Sequence, residues 1–360
     1  MGVDSHLLDH KEKLAEIDAS DMLGVLARFP GQLREAEEIS AAVEELPSGD
    51  GVSSVSVLGM GGSGISGDVV GALVSGSLPV PFATHKGYDL PAYVGAGSLV
   101  FAVSYSGNTE ETLTATEDAL AREARVIAVT SGGKLEELAK GNGLPVFKIP
   151  GGQQPRASLG YLAVPILCAL EKMGLVTGFL SLLEPAAKML DERAVEYSVD
   201  NSVDDNPTKR LARDTVGYLP VIYGSEGFIA VAAKRWKAQF NENAKVPAFD
   251  NQFPELNHNE TVGWQHLEDI CSMCHLIMLR DDSQSSRIAR RIELTSELIH
   301  DDVGHITSVW ARGDNPLERL FDLIYFGDCV SVYAALAIGQ DPTPVTRIED
   351  FKKRLAAGGS

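Results

Sequence analysis

Two runs crowded with glycine and hydroxyl side chains give the first sign of chemistry. Gly59-Met60-Gly61-Gly62-Ser63-Gly64-Ile65-Ser66-Gly67-Asp68 follows the apolar stretch Val55-Ser56-Val57-Leu58. Ser104-Tyr105-Ser106-Gly107-Asn108-Thr109-Glu110-Glu111-Thr112 follows Leu99-Val100-Phe101-Ala102-Val103. In both, a strand-like segment gives way to small polar residues and then to a helical pattern. A helix N-terminus presents unpaired N–H groups and the positive end of its dipole, so such turns suit a phosphate. In the second loop Gly107 lets backbone approach a ligand, and Ser104, Ser106 and Thr109 add hydroxyls. Ser106 and Thr109 would also serve as caps for the helix opening with Glu110-Glu111. Capping accounts for one or two of these residues, not for a run of four small polar positions.

Other uses of glycine loops fit less well. Gly59-x-Gly61-x-x-Gly64 matches a dinucleotide fingerprint by spacing, but the end of the second strand carries His85 and Lys86 where a ribose-binding acid belongs. No Gly-Lys-Ser/Thr follows either loop, which argues against a nucleotide triphosphatase.

Three further groups stand out. Gln154-Pro155-Arg156-Ala157 puts an arginine at a helix start, where a cation gains nothing from the dipole; it is either a surface arginine or one balanced by an anionic partner. Asn241-Glu242-Asn243-Ala244-Lys245 puts an acid at a helix C-terminus, a locally unfavourable choice; a solvated helix end is the default reading, and function is the alternative. Pro254-Glu255-Leu256-Asn257-His258-Asn259-Glu260 is a dense polar loop. His258, Glu260 and His266 lack the spacing of a zinc-binding helix, and no metal site is expected. Cys271-Ser272-Met273-Cys274-His275 matches a haem-attachment pattern but runs into Leu276-Ile277-Met278-Leu279, which reads as a buried strand with two core cysteines.

These residues need a scaffold, and the apolar pattern supplies one. Helical spacing fills residues 1 to about 45. Strands are predicted at 53–58, 79–84, 99–103, 125–130 and 145–149, with helices at 65–75, 109–122, 134–140 and 157–173. A second alternation has strands at 219–223, 246–249, 274–279 and 305–310 and helices at 284–299 and 315–337. Short apolar strands separated by helices indicate buried parallel sheets. The predicted fold is α/β: two doubly wound domains in tandem, with N-terminal helices and a short basic C-terminal helix at 346–356. The expected divisions are 1–45, 46–176, a helical linker 177–200, 201–340 and a tail 341–360.

The chain has 360 residues and a net charge of −19, from 31 basic and 50 acidic side chains. A field of that sign repels nucleic acid and anionic membranes, so neither is expected as a partner. Four cysteines, Cys168, Cys271, Cys274 and Cys329, fit a reducing, cytoplasmic setting rather than a disulfide scaffold. No apolar run approaches the ~20 residues that span a bilayer, and the acidic, amphipathic N-terminus does not read as an export signal.

In their order along the chain, the two loops, Gln154-Pro155-Arg156-Ala157, Asn241-Glu242-Asn243 and Glu255-Leu256-Asn257-His258-Asn259 resemble the sugar isomerase (SIS) fold. Within it they are similar to the bifunctional phosphoglucose/phosphomannose isomerases. The resemblance implies two tandem SIS domains and conversion of glucose 6-phosphate and mannose 6-phosphate to fructose 6-phosphate through an enediolate, without metal or cofactor. It implies that Gly62, Ser63, Ser104, Ser106 and Thr109 hold the phosphate. Glu242 would move a proton between C1 and C2, and Arg156 would stabilise the enediolate. His258 would help open the sugar ring from the neighbouring subunit of a homodimer. A C-terminal lysine, Lys352 or Lys353 with Lys352 favoured, would assist, and Thr343 or Thr346 would give room for both epimers. The chemistry is coherent: one carboxylate serves as base and then acid, and a fixed guanidinium stabilises developing charge. A sugar-phosphate sensor on the same fold, which binds without catalysis, would keep the loops and dispense with Glu242, His258 and Arg156. All three are present.

Overall fold

Five strands in the first half form one parallel sheet because nearly all their side chains are apolar and helices cover both faces. In the computed structural model, which describes residues 7–358, these are β1 (Ser54–Leu58), β2 (Phe82–His85), β3 (Ser98–Ser104), β4 (Arg125–Thr130) and β5 (Val146–Lys148), ordered β2-β1-β3-β4-β5. Every residue of β1 and β3 is buried. The second half repeats the plan with β6 (Leu219–Ser225), β7 (Phe249–Phe253), β8 (Cys274–Arg280) and β9 (His305–Trp310), parallel and ordered β7-β6-β8-β9. In each sheet the chain starts near the middle, winds to one edge, then reverses. The crevice at such a reversal, at the strands' carboxyl ends, is where ligands bind in doubly wound sheets. In the first sheet it falls between β1 and β3, the two strands that end in the glycine and hydroxyl loops.

One apolar core joins the halves, running from Leu8 and Phe29 through Val57 and Leu162 to Trp236, Ile277 and Leu320. The helix Pro316–Ala337 packs against Pro207–Thr215, Phe228–Gln239 and Leu180–Glu196. It is long and apolar enough to cross a membrane, contrary to the expectation that no segment comes close, but 94% of its apolar window is buried inside the protein.

Several predicted boundaries move for local reasons. The helix expected at 65–75 spans Gly61–Val74 and so begins inside the glycine run. The strand expected at 79–84 is Phe82–His85, because Pro79 and Pro81 have no N–H to donate. The strand expected at 246–249 is Phe249–Phe253; the preceding helix runs on to Ala244 as a π-turn and Pro247 follows. Helix Leu180–Glu196, in the predicted linker, packs on Phe29–Ala41.

Cys274 and His275 lie at the start of β8, fully within the core. His275 is held between hydroxyls, with Nδ1 3.1 Å from Thr215 Oγ1 and Nε2 2.8 Å from Thr307 Oγ1. Burial, then the nearby His305, pushes it from 6.5 down to about 4. The folded protein therefore refuses a proton that the unfolded chain accepts below about pH 6.5. Stability is unaffected by this group above that pH and falls as pH drops toward 4, by up to ~3 kcal/mol. Urea unfolding at pH 7 and pH 4.5 should show a larger acid loss in wild type than in His275→Asn.

Candidate active site

Gly62 sets the site's first contact. A Cβ there would lie 2.6 Å from the Pro155 carbonyl oxygen, so only glycine lets the 154–157 turn rest on the loop after β1. Gly61 opens the helix at φ +51°, in the left-handed region. The turn Pro155–Ala157 then buries Arg156, which is 3% exposed.

Arg156 is fixed on three sides. Nε donates to Asn243 Oδ1 at 2.7 Å, and Nη2 donates to the carbonyls of Pro342 at 2.9 Å and Thr343 at 2.8 Å. Asn243 is itself held by Ser331. Nη1 is left facing Glu242 Oε2 at 3.6 Å and the Gln154 side chain at 3.5 Å. This carboxylate is the anionic partner, and Arg156 is not a surface arginine. Burial lowers the Arg156 pKa while the Glu242 charge opposes that fall.

Glu242 sits in the π-turn Phe240–Ala244, which ends helix Phe228–Gln239. A π-turn inserts an extra residue and re-aims side chains. The turn stops at Lys245, in the left-handed conformation at φ +58°, whose ammonium donates to the carbonyls of Glu242, Asn243 and Pro342. Burial, then Arg156, lowers that ammonium from 10.5 to about 8, so it is charged at neutral pH.

Beneath this layer lies a buried ion pair. Arg235 donates to both oxygens of Asp328 at 3.0 and 2.6 Å and to the Arg156 carbonyl at 2.7 Å. At the mouth, Asp68 of helix Gly61–Val74 binds Lys86 and Lys234, the latter at 2.8 Å, and so ties the first domain to helix Phe228–Gln239 of the second.

These groups enclose a cavity of about 200 Å³ lined by Gly61, Gly62, Lys86, Arg156, Lys234, Arg235, Lys237 and Glu242, with apolar and amide neighbours. Of the five cations lining it, Lys86 and Lys234 share Asp68, Arg235 pairs with Asp328 and Arg156 faces Glu242, which leaves a net positive site in a protein of net charge −19. A larger cleft of about 510 Å³ shares Lys234 and lies between residues of β2 and β7. Among the described residues, no cluster of three or more His, Cys, Asp or Glu forms a metal-ligand set.

The second loop adjoins the first through Ser63, which is buried and accepts from Tyr105 N–H at 3.1 Å. Thr109 stands at the N-cap of helix Glu110–Ala121 but makes no side-chain cap bond; its hydroxyl meets Ser104 Oγ at 2.9 Å. Capping therefore does not explain it, and the first N–H groups of that helix keep no side-chain acceptor from it. Ser106 is exposed and accepts from Asn108 N–H at 3.2 Å. Gly107, at φ +66°, lies where a Cβ would clash with the Gly132 carbonyl oxygen at 1.7 Å.

The structure brings Gly62, Arg156 and Glu242 to one cavity. Ser63, Ser104, Ser106 and Thr109 do not line it, and within one chain neither do His258 nor Lys352, which are both exposed. His258 ends the short turn Glu255–His258 after β7, and Lys352 lies on the terminal helix Thr346–Gly358. Thr343 lies against Arg156 through its carbonyl, with a buried hydroxyl that has no partner. Sequence reasoning missed Arg235, Asp328 and Lys245. The one available signal was Asp328, an acid in an apolar helical run that must find a counter-ion when buried.

Tandem parallel sheets with glycine and hydroxyl loops at the chain-reversal point define a protein of the SIS-domain class. The SIS domain model matches residues 52–142, and a bacterial phospho-glucose isomerase C-terminal SIS domain model matches residues 204–355. The chain is 40% identical over 328 residues to the bifunctional phosphoglucose/phosphomannose isomerase of Caldicellulosiruptor bescii, covering 91% of this chain and 97% of that one. It belongs to the bifunctional phosphoglucose/phosphomannose isomerase family. It is also 34% identical over 230 residues to a D-glucosamine-6-phosphate 4-epimerase of Sulfolobus acidocaldarius, covering 61% of this chain and 67% of that one. A solved glucose-6-phosphate isomerase like protein from Thermus thermophilus shares the fold at a TM-score of 0.60 and 19% identity, over 95% of this chain and 98% of that one.

Proposed function

We propose that this protein isomerises glucose 6-phosphate and mannose 6-phosphate to fructose 6-phosphate through an enediolate, without a metal ion. The observation that carries this reading is Glu242 held 3.6 Å from a guanidinium that is otherwise saturated by protein acceptors. Glu242 takes the proton from C2 of the open-chain aldose and returns it to C1. Negative charge grows on the enediolate oxygens, and Nη1 of Arg156, already fixed, meets it without reorganisation. Gly62, Ser63, Ser104, Ser106 and Thr109 hold the phosphate, and that remote binding energy keeps C1 and C2 beside the carboxylate.

Ring opening needs a second proton-transfer group. His258 and Lys352 take that role. Both are exposed and absent from the cavity lining of their own chain, and a homodimer in which the second copy contributes His258 would bring that group to the sugar. A sensor without catalytic activity would have no use for a base and guanidinium facing one another.

The test is ketose formation from glucose, mannose and glucosamine 6-phosphates and arabinose 5-phosphate, with and without excess chelator. Fructose 6-phosphate should form from the first two, each at the same rate with chelator as without it. Binding without conversion would favour the sensor. Activity lost to chelator and restored by added metal would overturn the metal-free mechanism.

A further inference from the structure

Lys245 is used by no step above, yet it is one of four residues other than glycine among those described with a positive φ. Holding a lysine in the left-handed region costs roughly 1 kcal/mol or more and persists only where the surroundings impose it. Here the imposing contacts are visible. An ammonium has three donors, and all three are engaged: Glu242 C=O at 2.8 Å, Asn243 C=O at 3.1 Å and Pro342 C=O at 2.7 Å. The first two belong to the π-turn that carries the base. The third belongs to the segment between Pro316–Ala337 and the terminal helix, and the same Pro342 oxygen accepts from Arg156 at 2.9 Å. A cation at this position also compensates the exposed carbonyls of a helix C-terminus.

We infer that Lys245 is a positioning residue for the isomerisation, fixing the Glu242 turn relative to Arg156 and to the Pro342–Thr343 strap. The inference rests on the functional reading above. It follows from what the three bonds join. Without the ammonium, the turn bearing Glu242 and the strap that orients Arg156 are joined only through Arg156 itself and its bonds to Asn243, Pro342 and Thr343, and the 3.6 Å relation between carboxylate and guanidinium loses one of its supports. Displacement of a reacting group by about 1 Å costs up to ~100-fold in rate.

Two variants separate this role from a merely structural one. Lys245→Gly removes the ammonium but suits the left-handed backbone, so relief of strain offsets part of the loss of three bonds and of the added unfolded-chain freedom, and the protein should remain folded with an unfolding midpoint close to that of wild type. Its kcat should fall about 10- to 100-fold while the dissociation constant for fructose 6-phosphate stays within threefold. Lys245→Cys should show the same loss, and aminoethylation of the new thiol, which rebuilds an ammonium at nearly the same length, should restore most of the rate. The four native cysteines are buried, which directs the reagent to the new one. A folded Lys245→Gly protein with wild-type kcat overturns the inference, as does a folded, fully aminoethylated protein that regains no rate. Wild-type protein assayed alongside separates the failures. If wild type does not isomerise, the functional reading falls; if it does and Lys245→Gly matches it, only the positioning role falls.

Discussion

Glu242→Gln should lower kcat by about 10²- to 10⁴-fold, the range that a positioned general base contributes, while fructose 6-phosphate still binds. The substitution keeps the side chain's size and leaves the backbone bonds of the π-turn untouched, so its effect falls on proton transfer. The geometry explains why this carboxylate is available. Its closest guanidinium nitrogen is 3.6 Å away, beyond a good hydrogen bond, and 29% of the side chain remains exposed. A tight two-pronged pair would occupy both oxygens and leave none for the substrate. Exchange of the C1 and C2 protons with deuterated solvent, followed by NMR, reports the step directly. It should vanish in Glu242→Gln along with turnover. A variant that retains more than a tenth of wild-type turnover would remove Glu242 from the role of base.

The parallel sheets were legible because period and composition agree in β1, β3, β4, β6 and β8, whose buried faces demand apolar runs. The loops after β1 and β3 were legible because glycine and hydroxyls in that position have few other uses. Edge strands were less so. In β7, Phe249-Asp250-Asn251-Gln252-Phe253 is polar and half exposed, so its boundaries rest on the π-turn and Pro247 before it rather than on a hydrophobic pattern. The pairing of Glu242 with Arg156 was only half legible. Each residue was locally unfavourable for its helix end, but nothing local says that residues so far apart in the chain meet. That contact depends on the shared core holding the two domains together, and on Gly62 admitting the Pro155–Ala157 turn. The Arg235–Asp328 pair lay further out of reach, since its arginine sits in an ordinary amphipathic helix.

Asp328→Asn should destabilise the protein by about 3–5 kcal/mol, the usual result of leaving one member of a buried ion pair without its partner. The Arg235 and Asp328 side chains are only 3% and 6% exposed. With a neutral amide opposite it, the guanidinium stays desolvated and its charge is uncompensated. Urea unfolding measures the loss. The double variant Arg235→Met, Asp328→Leu removes both charges together and should recover much of the stability, because apolar replacements of buried pairs are often neutral. It should not recover kcat. Arg235 also donates to the Arg156 carbonyl at 2.7 Å, and without that bond the 154–157 turn loses this backbone anchor to helix Phe228–Gln239, keeping the bonds of the Arg156 side chain. Stability restored with activity still depressed would mean that the pair serves to hold Arg156 in place. Stability and activity restored together would mean that the neighbouring bonds from Asn243, Pro342 and Thr343 suffice to hold the guanidinium. Asp328→Asn within 1 kcal/mol of wild type would contradict the burial of a charged pair at this position.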